Sequence, residues 1–196
     1  MANETTIGNV PGNDDCLGMV EDLLTKLRKG KISKAQFARF LKKENPFDST
    51  ITDKDEVLTV TVNRDRTIAD SVVAGKYTYQ NNDINDTNFP RTGAGTESTE
   101  IILVHFDKSI STEKALAELE KRNLRPADVQ ELLAIGEQHP EKQRQFPIIC
   151  LGSVWQNSDG DRYVPCLGRN GSDRELDLGG VGFDWLDVCR FAAVRK

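Results

Sequence analysis

The sequence predicts an α+β protein: a helical hairpin at the amino end, a strand and helix after it, then a unit of strand, helix, helix and four strands. Three observations carry this. Apolar residues recur at three- and four-residue spacing in five separate stretches. Short β-branched or alternating runs bounded by Gly, Asn and Asp fill much of the remainder. The 196-residue length is about 1.3 times a typical domain, enough for one main domain with a small appendage. Domain boundaries are expected at 1–50 for the hairpin, 51–96 for a strand–helix extension and linker, and 97–196 for the main unit.

In GMVEDLLTKLRKG, Val20, Leu23, Leu24 and Leu27 share a helical face and Gly30 stands where a left-handed C′ residue belongs. Ser33 caps a second predicted helix, KAQFARFLKK, with Phe37, Phe40 and Leu41 on one side and Asn45-Pro46 as its stop. EVLTVTVNRD alternates as a strand, and Thr67 caps TIADSVVAG, with Ile68, Val72 and Val73 on one side and Gly75 at C′. YTYQNNDINDTNFP reads as an Asx-rich turn; Asn82, Asp83, Asn85 and Asp86 are calcium-ligand types without the spacing of a calcium loop. GAGTEST reads as a flexible joint.

TEIILVHFD is the first strand of the main unit. Ser111 caps TEKALAELEKR, with Ala115, Leu116 and Leu119 inward, and Pro126 opens RPADVQELLAIGEQHP, with Val129, Leu132 and Leu133 at core spacing. FPIICLGSVW, RYVPCLG, RELDLGG and VCRFAAVRK are strands separated by NSDGD, RNGSD and FDWLD turns. This order predicts that the last strand returns beside the first.

Composition excludes several classes. Charged residues are 29% and hydrophobic ones 37%, the balance of a globular protein, and the net charge of −5 argues against wholesale nucleic-acid coating. No apolar run approaches a membrane span and the opening residues lack a signal-peptide pattern, so a cytoplasmic protein is expected. Cys16, Cys150, Cys166 and Cys189 form no C-x-x-C pair; free thiols fit best, with a 150–166 or 166–189 bridge left open. His105 and His139 have no acid and nucleophile arranged around them in sequence, so no catalytic residue, metal ligand or cofactor is assigned and no enzyme is expected. One segment departs from the acidic average: Lys26, Arg28, Lys29, Lys31, Lys34, Arg39, Lys42 and Lys43 run with no acid between 26 and 43. It reads either as a polyanion contact or as a solvated face balanced by acids elsewhere.

RPADVQELLAIG, then LGSVW, then a Gly/Asp/Arg-rich stretch with a second Trp, then RFAAVRK resembles the C-type lectin fold over residues 99–196. More narrowly it resembles the variable proteins of diversity-generating retroelements, and it is similar to the lectin-like fold of formylglycine-generating enzymes. In such variable proteins a reverse transcriptase rewrites the carboxyl-terminal segment from a template whose adenines are randomised. Randomised AAC codons never give Lys, Met, Glu, Gln or Trp. Residues 156–190 contain no Lys or Met, but six Gly, six Asp and four Arg; Gln156, Glu175 and Trp185 would be invariant or come from adenine-poor codons.

The resemblance implies a non-enzymatic binding protein. Val154, Trp155, Val164, Leu167, Leu176, Leu178, Phe183 and Phe191 would carry the packing. The recognition surface would comprise Asn157, Ser158, Asp161, Tyr163, Cys166, Gly168, Asn170, Ser172, Asp177, Gly179, Gly180, Leu186, Asp187 and Cys189, with Trp185 either core or anchor. Its partner would be a protein or other macromolecule of unstated identity. The alternative is a nucleic-acid-associated protein acting through the basic hairpin.

Overall fold

The computed structural model describes residues 13–41, 51–52 and 54–196. The chain divides into two compact units, 1–48 and 49–196. In the first, α1 (Asn13–Arg28) and α2 (Lys34–Leu41) are joined by a turn in which Gly30 takes φ 67°, the left-handed value its position demands. Ser33 and Gln36 cap α2 reciprocally, each side chain accepting from the other's backbone N–H. The expected stop at Asn45-Pro46 and the cations Lys42 and Lys43 lie outside the described residues.

The second unit is a mixed α/β structure built on one large, mostly antiparallel sheet. Its elements are β1 (Glu56–Asn63), α3 (Ile68–Gly75), β2 (Tyr79–Gln80), β3 (Thr96–Val104), α4 (Thr112–Lys121), β4 (Leu124–Pro126), α5 (Val129–Gln138), β5 (Ile148–Ile149), β6 (Trp155–Gln156), β7 (Arg162–Asn170), β8 (Asp173–Gly180) and β9 (Arg190–Arg195). The sheet runs β1-β3-β9-β5-β7-β8-β2, with β4 also on β9 and β6 on β7. Only β5–β9 and β2–β8 are parallel among these pairs. The last strand does return beside the first of the main unit, β9 antiparallel to β3.

The alternation read from the sequence sorts residues onto two faces. On one, Leu58, Val60, Val62, Ile101, Leu103, Leu167 and Leu176 meet Ile68 and Val72 of α3 and Leu132, Leu133 and Ile135 of α5. On the other, Ile102, Val104, Ile149, Val164, Phe191 and Ala193 meet Ala115 and Leu119 of α4 and the ring of Trp185. Three layers result, each apolar face covered.

Several expectations are corrected. Residues 96–98 are the start of β3, not a joint, because they pair with Thr61–Asn63 in the continuous β1–β3 ladder. That ladder also makes residues 56–63 part of the main sheet. Val73 and Leu116 face outward. The left-handed residue ending α3 is Lys76 at φ 52°, one beyond Gly75. Pro126 belongs to β4; α5 is opened instead by Asp128, whose carboxylate and that of Glu131 form a capping box. The 146–155 strand is two fragments, β5 and β6. The 77–90 loop is held as an Asx turn, Asn81 and Asn85 accepting from the backbone of Asp83, Thr87 and Asn88, although Tyr79–Gln80 adds a short strand to β8. Cys150, Cys166 and Cys189 are free thiols. No described helix is long and apolar enough to cross a membrane.

Candidate functional site

Because β7 and β8 are antiparallel with Tyr163 opposite Gly180, the β6–β7 turn and the β8–β9 loop leave the sheet at the same end. That end gathers Asn157, Ser158, Asp161, Tyr163 and Gly180, whereas the β8–β9 loop then runs back along the sheet, so that Asp187 lies beside His105 and Phe146 where β9 begins, level with Leu167. Asn170 and Ser172 sit on the β7–β8 turn at the opposite end, about 25 Å away at the rise of a strand, with Gly168 nearer to them. The fifteen expected positions therefore do not form one surface. Cys166 and Asp177 lie opposite each other in mid-ladder, both half-buried.

Two expected surface positions, Gly179 and Cys189, belong to the interior, and so does Trp185, for which the sequence leaves core and anchor both open. Trp185 is 9% exposed; its indole Nε1 donates to Thr112 Oγ1 at 3.0 Å and its ring meets Phe191 edge-on at 6.3 Å. Cys189 is buried beside it. Gly179 lies beneath the Trp185 ring, where a Cβ would come within 2.7 Å of the indole and 2.9 Å of Cys166 Sγ. Two other positions organise backbone: Asn157 accepts from the N–H groups of Asp159 and Asp161 at 3.0 and 2.9 Å, and Asp177 from Asn81 Nδ2 and its neighbour Leu178 N–H. Ser158, Asp161, Asn170, Ser172, Leu186 and Asp187 are exposed as expected.

The sequence reading misplaced the apolar side chains. Phe183 and Val154, assigned to packing, are exposed, Phe183 to 80%. With Leu186 and Val188 they put four large apolar groups in solvent. A signal was present: Phe183 is bracketed by Gly182 and Asp184, turn residues with no strand period around them. The loop carrying Phe183, Leu186 and Val188 is braced. Trp185 and Ile110 exchange backbone hydrogen bonds at 2.9 and 3.1 Å, Ser109 and His105 bond the carbonyls of Trp185 and Asp187, and Thr112 bonds that of Val181.

Across β6, β7 and β8, Trp155, Tyr163 and Gly180 stand side by side in register. The Trp155 and Tyr163 rings are 6.0 Å apart. Tyr163 and Phe183 both come within 3.7–3.9 Å of the place a Gly180 Cβ would occupy, so the glycine leaves a slot with two aromatic walls.

Nucleophile chemistry finds no support in the described residues. Burial pushes the Cys150 and Cys166 thiols well up, and Cys150 Sγ donates to the Ala127 carbonyl at 2.9 Å. The Nε2 atoms of His105 and His139 are tied to the carbonyls of Asp187 and Thr59. No cluster of metal-ligating side chains occurs among the described residues. Two long-range polar networks escaped the sequence reading. Glu131 receives Arg64 and Arg125 while Asp128 receives Arg64, an ion network joining β1's end to α5. Arg174, 7% exposed, has no carboxylate partner among the described residues; it donates to the carbonyls of Gly75 and Gly136 and to Gln143, over the Tyr77 ring. Those carbonyls end α3 and α5, so two helix-dipole termini balance the cation.

Comparison with protein-family models, curated proteins and solved structures finds no match for the chain.

Proposed function

We propose that the chain is a non-enzymatic, cytoplasmic ligand-binding protein of C-type lectin-like fold, and that its carboxyl-terminal segment is varied by a diversity-generating retroelement. The observation that carries the binding part is the braced β8–β9 loop. Exposed Phe183, Leu186 and Val188 alternate with a buried, hydrogen-bonded Trp185, and apolar groups held out on a rigid loop are the mark of a recognition surface rather than of a core. The return of β9 beside β3, with two helices between, supports the fold reading. The surface is narrower than the sequence suggested: Ser158, Asp161, Tyr163, Gly180 and Phe183 at one end of the sheet, continued by Leu186 along the loop.

A library randomising Ser158, Asp161, Phe183 and Leu186 tests it. Most members keep the parent's melting behaviour and some bind an unrelated protein such as lysozyme; a library that mostly unfolds refutes the reading. The retroelement part requires, in the surrounding DNA, a near-repeat of the codons for 156–190 differing only at adenines beside a reverse transcriptase gene, and falls without it.

A second reading has its own observation: Arg28, Lys29, Lys31 and Lys34 are all exposed in the first unit. If they bind nucleic acid, affinity falls with salt at about −0.9 in log–log slope per phosphate neutralised and vanishes when Lys29, Lys31 and Lys34 become Glu. Absence of binding at physiological salt excludes it.

A further inference from the structure

Resting on the reading of this end as a recognition surface, we propose that its partner in the present sequence is a basic, extended polypeptide segment of another protein, one Lys or Arg of which enters the Tyr163–Gly180–Phe183 slot. Two independent features meet there. The first is shape: two rings flank a position without a side chain, and Trp155 extends the aromatic row across β6. A long aliphatic stem fits between ring faces, and a cationic head above an aromatic ring is attracted by its quadrupole.

The second is charge. The 157–161 turn and residues 181–184, which frame the slot, contain Asp159, Asp161 and Asp184, and the one cation adjoining them, Arg162, has Glu113 nearby. All three are exposed, and Asp184 follows Phe183 directly. An apolar slot whose surroundings carry three exposed acids against one cation disfavours nucleic acid and acidic partners and favours a cation whose stem is apolar. The turn fixing these acids is preset by Asn157, and the loop by Trp185, so little ordering is left to the binding step.

The test pans random linear peptides displayed on phage against the full chain and measures the enriched peptides by fluorescence anisotropy. Peptides rich in Lys and Arg are expected. Phe183→Ala, which removes a side chain 80% exposed and leaves the core intact, weakens them about two- to fivefold. Asp159→Asn, Asp161→Asn and Asp184→Asn combined weaken them roughly tenfold, less at high salt. Gly180→Val, which fills the slot, weakens them as much as Phe183→Ala or more.

Enriched peptides that are neutral or acidic yet depend on Phe183 overturn the cationic partner and leave the recognition surface standing. Failure to enrich any Phe183-dependent peptide overturns both. A concentration-dependent dimer dissolved by Phe183→Ala assigns the slot to a second copy of the chain and overturns the proposal of a separate protein.

Discussion

Adjacent glycines in β8 are expected to respond in opposite ways to one methyl group. At Gly179 an added Cβ lies 2.7 and 2.8 Å from two atoms of the Trp185 ring and 2.9 Å from Cys166 Sγ, against ordinary contacts near 3.4–4 Å. The ring cannot swing aside freely, since Thr112 holds its Nε1 and Phe191 backs it. Overpacking of this kind costs about 1–3 kcal/mol, and bending the indole hydrogen bond adds about 1 kcal/mol. Gly179→Ala is therefore expected to lose about 2–4 kcal/mol. At Gly180 the nearest atoms are 3.7–3.9 Å away, and its φ is not in the left-handed region, so Gly180→Ala stays within about 0.5 kcal/mol of the parent. Urea unfolding followed by tryptophan fluorescence separates them: at about 2 kcal/mol per molar, the Gly179→Ala midpoint falls by roughly 1–2 M while that of Gly180→Ala holds. Equal midpoints would refute the division of this strand into a fixed and a changeable position, and with it the claim that Trp185 anchors the loop.

Arg174→Met leaves the carbonyls of Gly75 and Gly136 and the Gln143 amide oxygen without their donor, and is expected to cost about 3–6 kcal/mol in chemical denaturation; a loss under about 1 kcal/mol would show that these acceptors find water. The Gln138 amide covers the free edge of β1 by both donating to and accepting from the Thr61 backbone, at 2.8 and 2.9 Å, so Gln138→Leu should produce concentration-dependent association in sedimentation, and a monomer at all concentrations would count against edge protection. Burial holds the thiols of Cys150 and Cys166 protonated at neutral and mildly alkaline pH, so iodoacetamide should label them only after unfolding, as read by mass spectrometry.

What the sequence made legible was local. The Thr67 and Ser111 caps, Gly30 and the alternation of Leu58, Val60 and Val62 each declare themselves within one turn or one strand, and the structure keeps them. Pairings over distance were not legible. Arg64 meets Asp128 and Glu131 across more than sixty residues, and nothing near Arg64 announces it. Pro126 offered a helix start by its own chemistry, but pairing with Ala193 made it strand. Trp185 and Phe183, two residues apart in one loop, have opposite fates because Thr112 and Phe191 receive only the first. The expected surface positions were read from turns, which lie at both ends of β7 and β8, and inward or outward direction was misjudged wherever it depended on such partners.

Strand β9 lies in the middle of the sheet, between β3 and β5, although it is made after every other strand. Until it arrives, β3 and β5 are two open edges with apolar faces, and the sheet is in halves. Pairing of β9 with β3 and β5 is therefore the step that joins the two halves. Any stop codon or shift of reading frame between 156 and 190 deletes or garbles the strand that joins the halves, and the product stays unfolded, open to proteolysis. Substitutions in the same stretch that preserve the frame still deliver residues 190–195 to their place. Changes in this stretch that destroy the frame and changes that preserve it are thus expected to separate at the folding step.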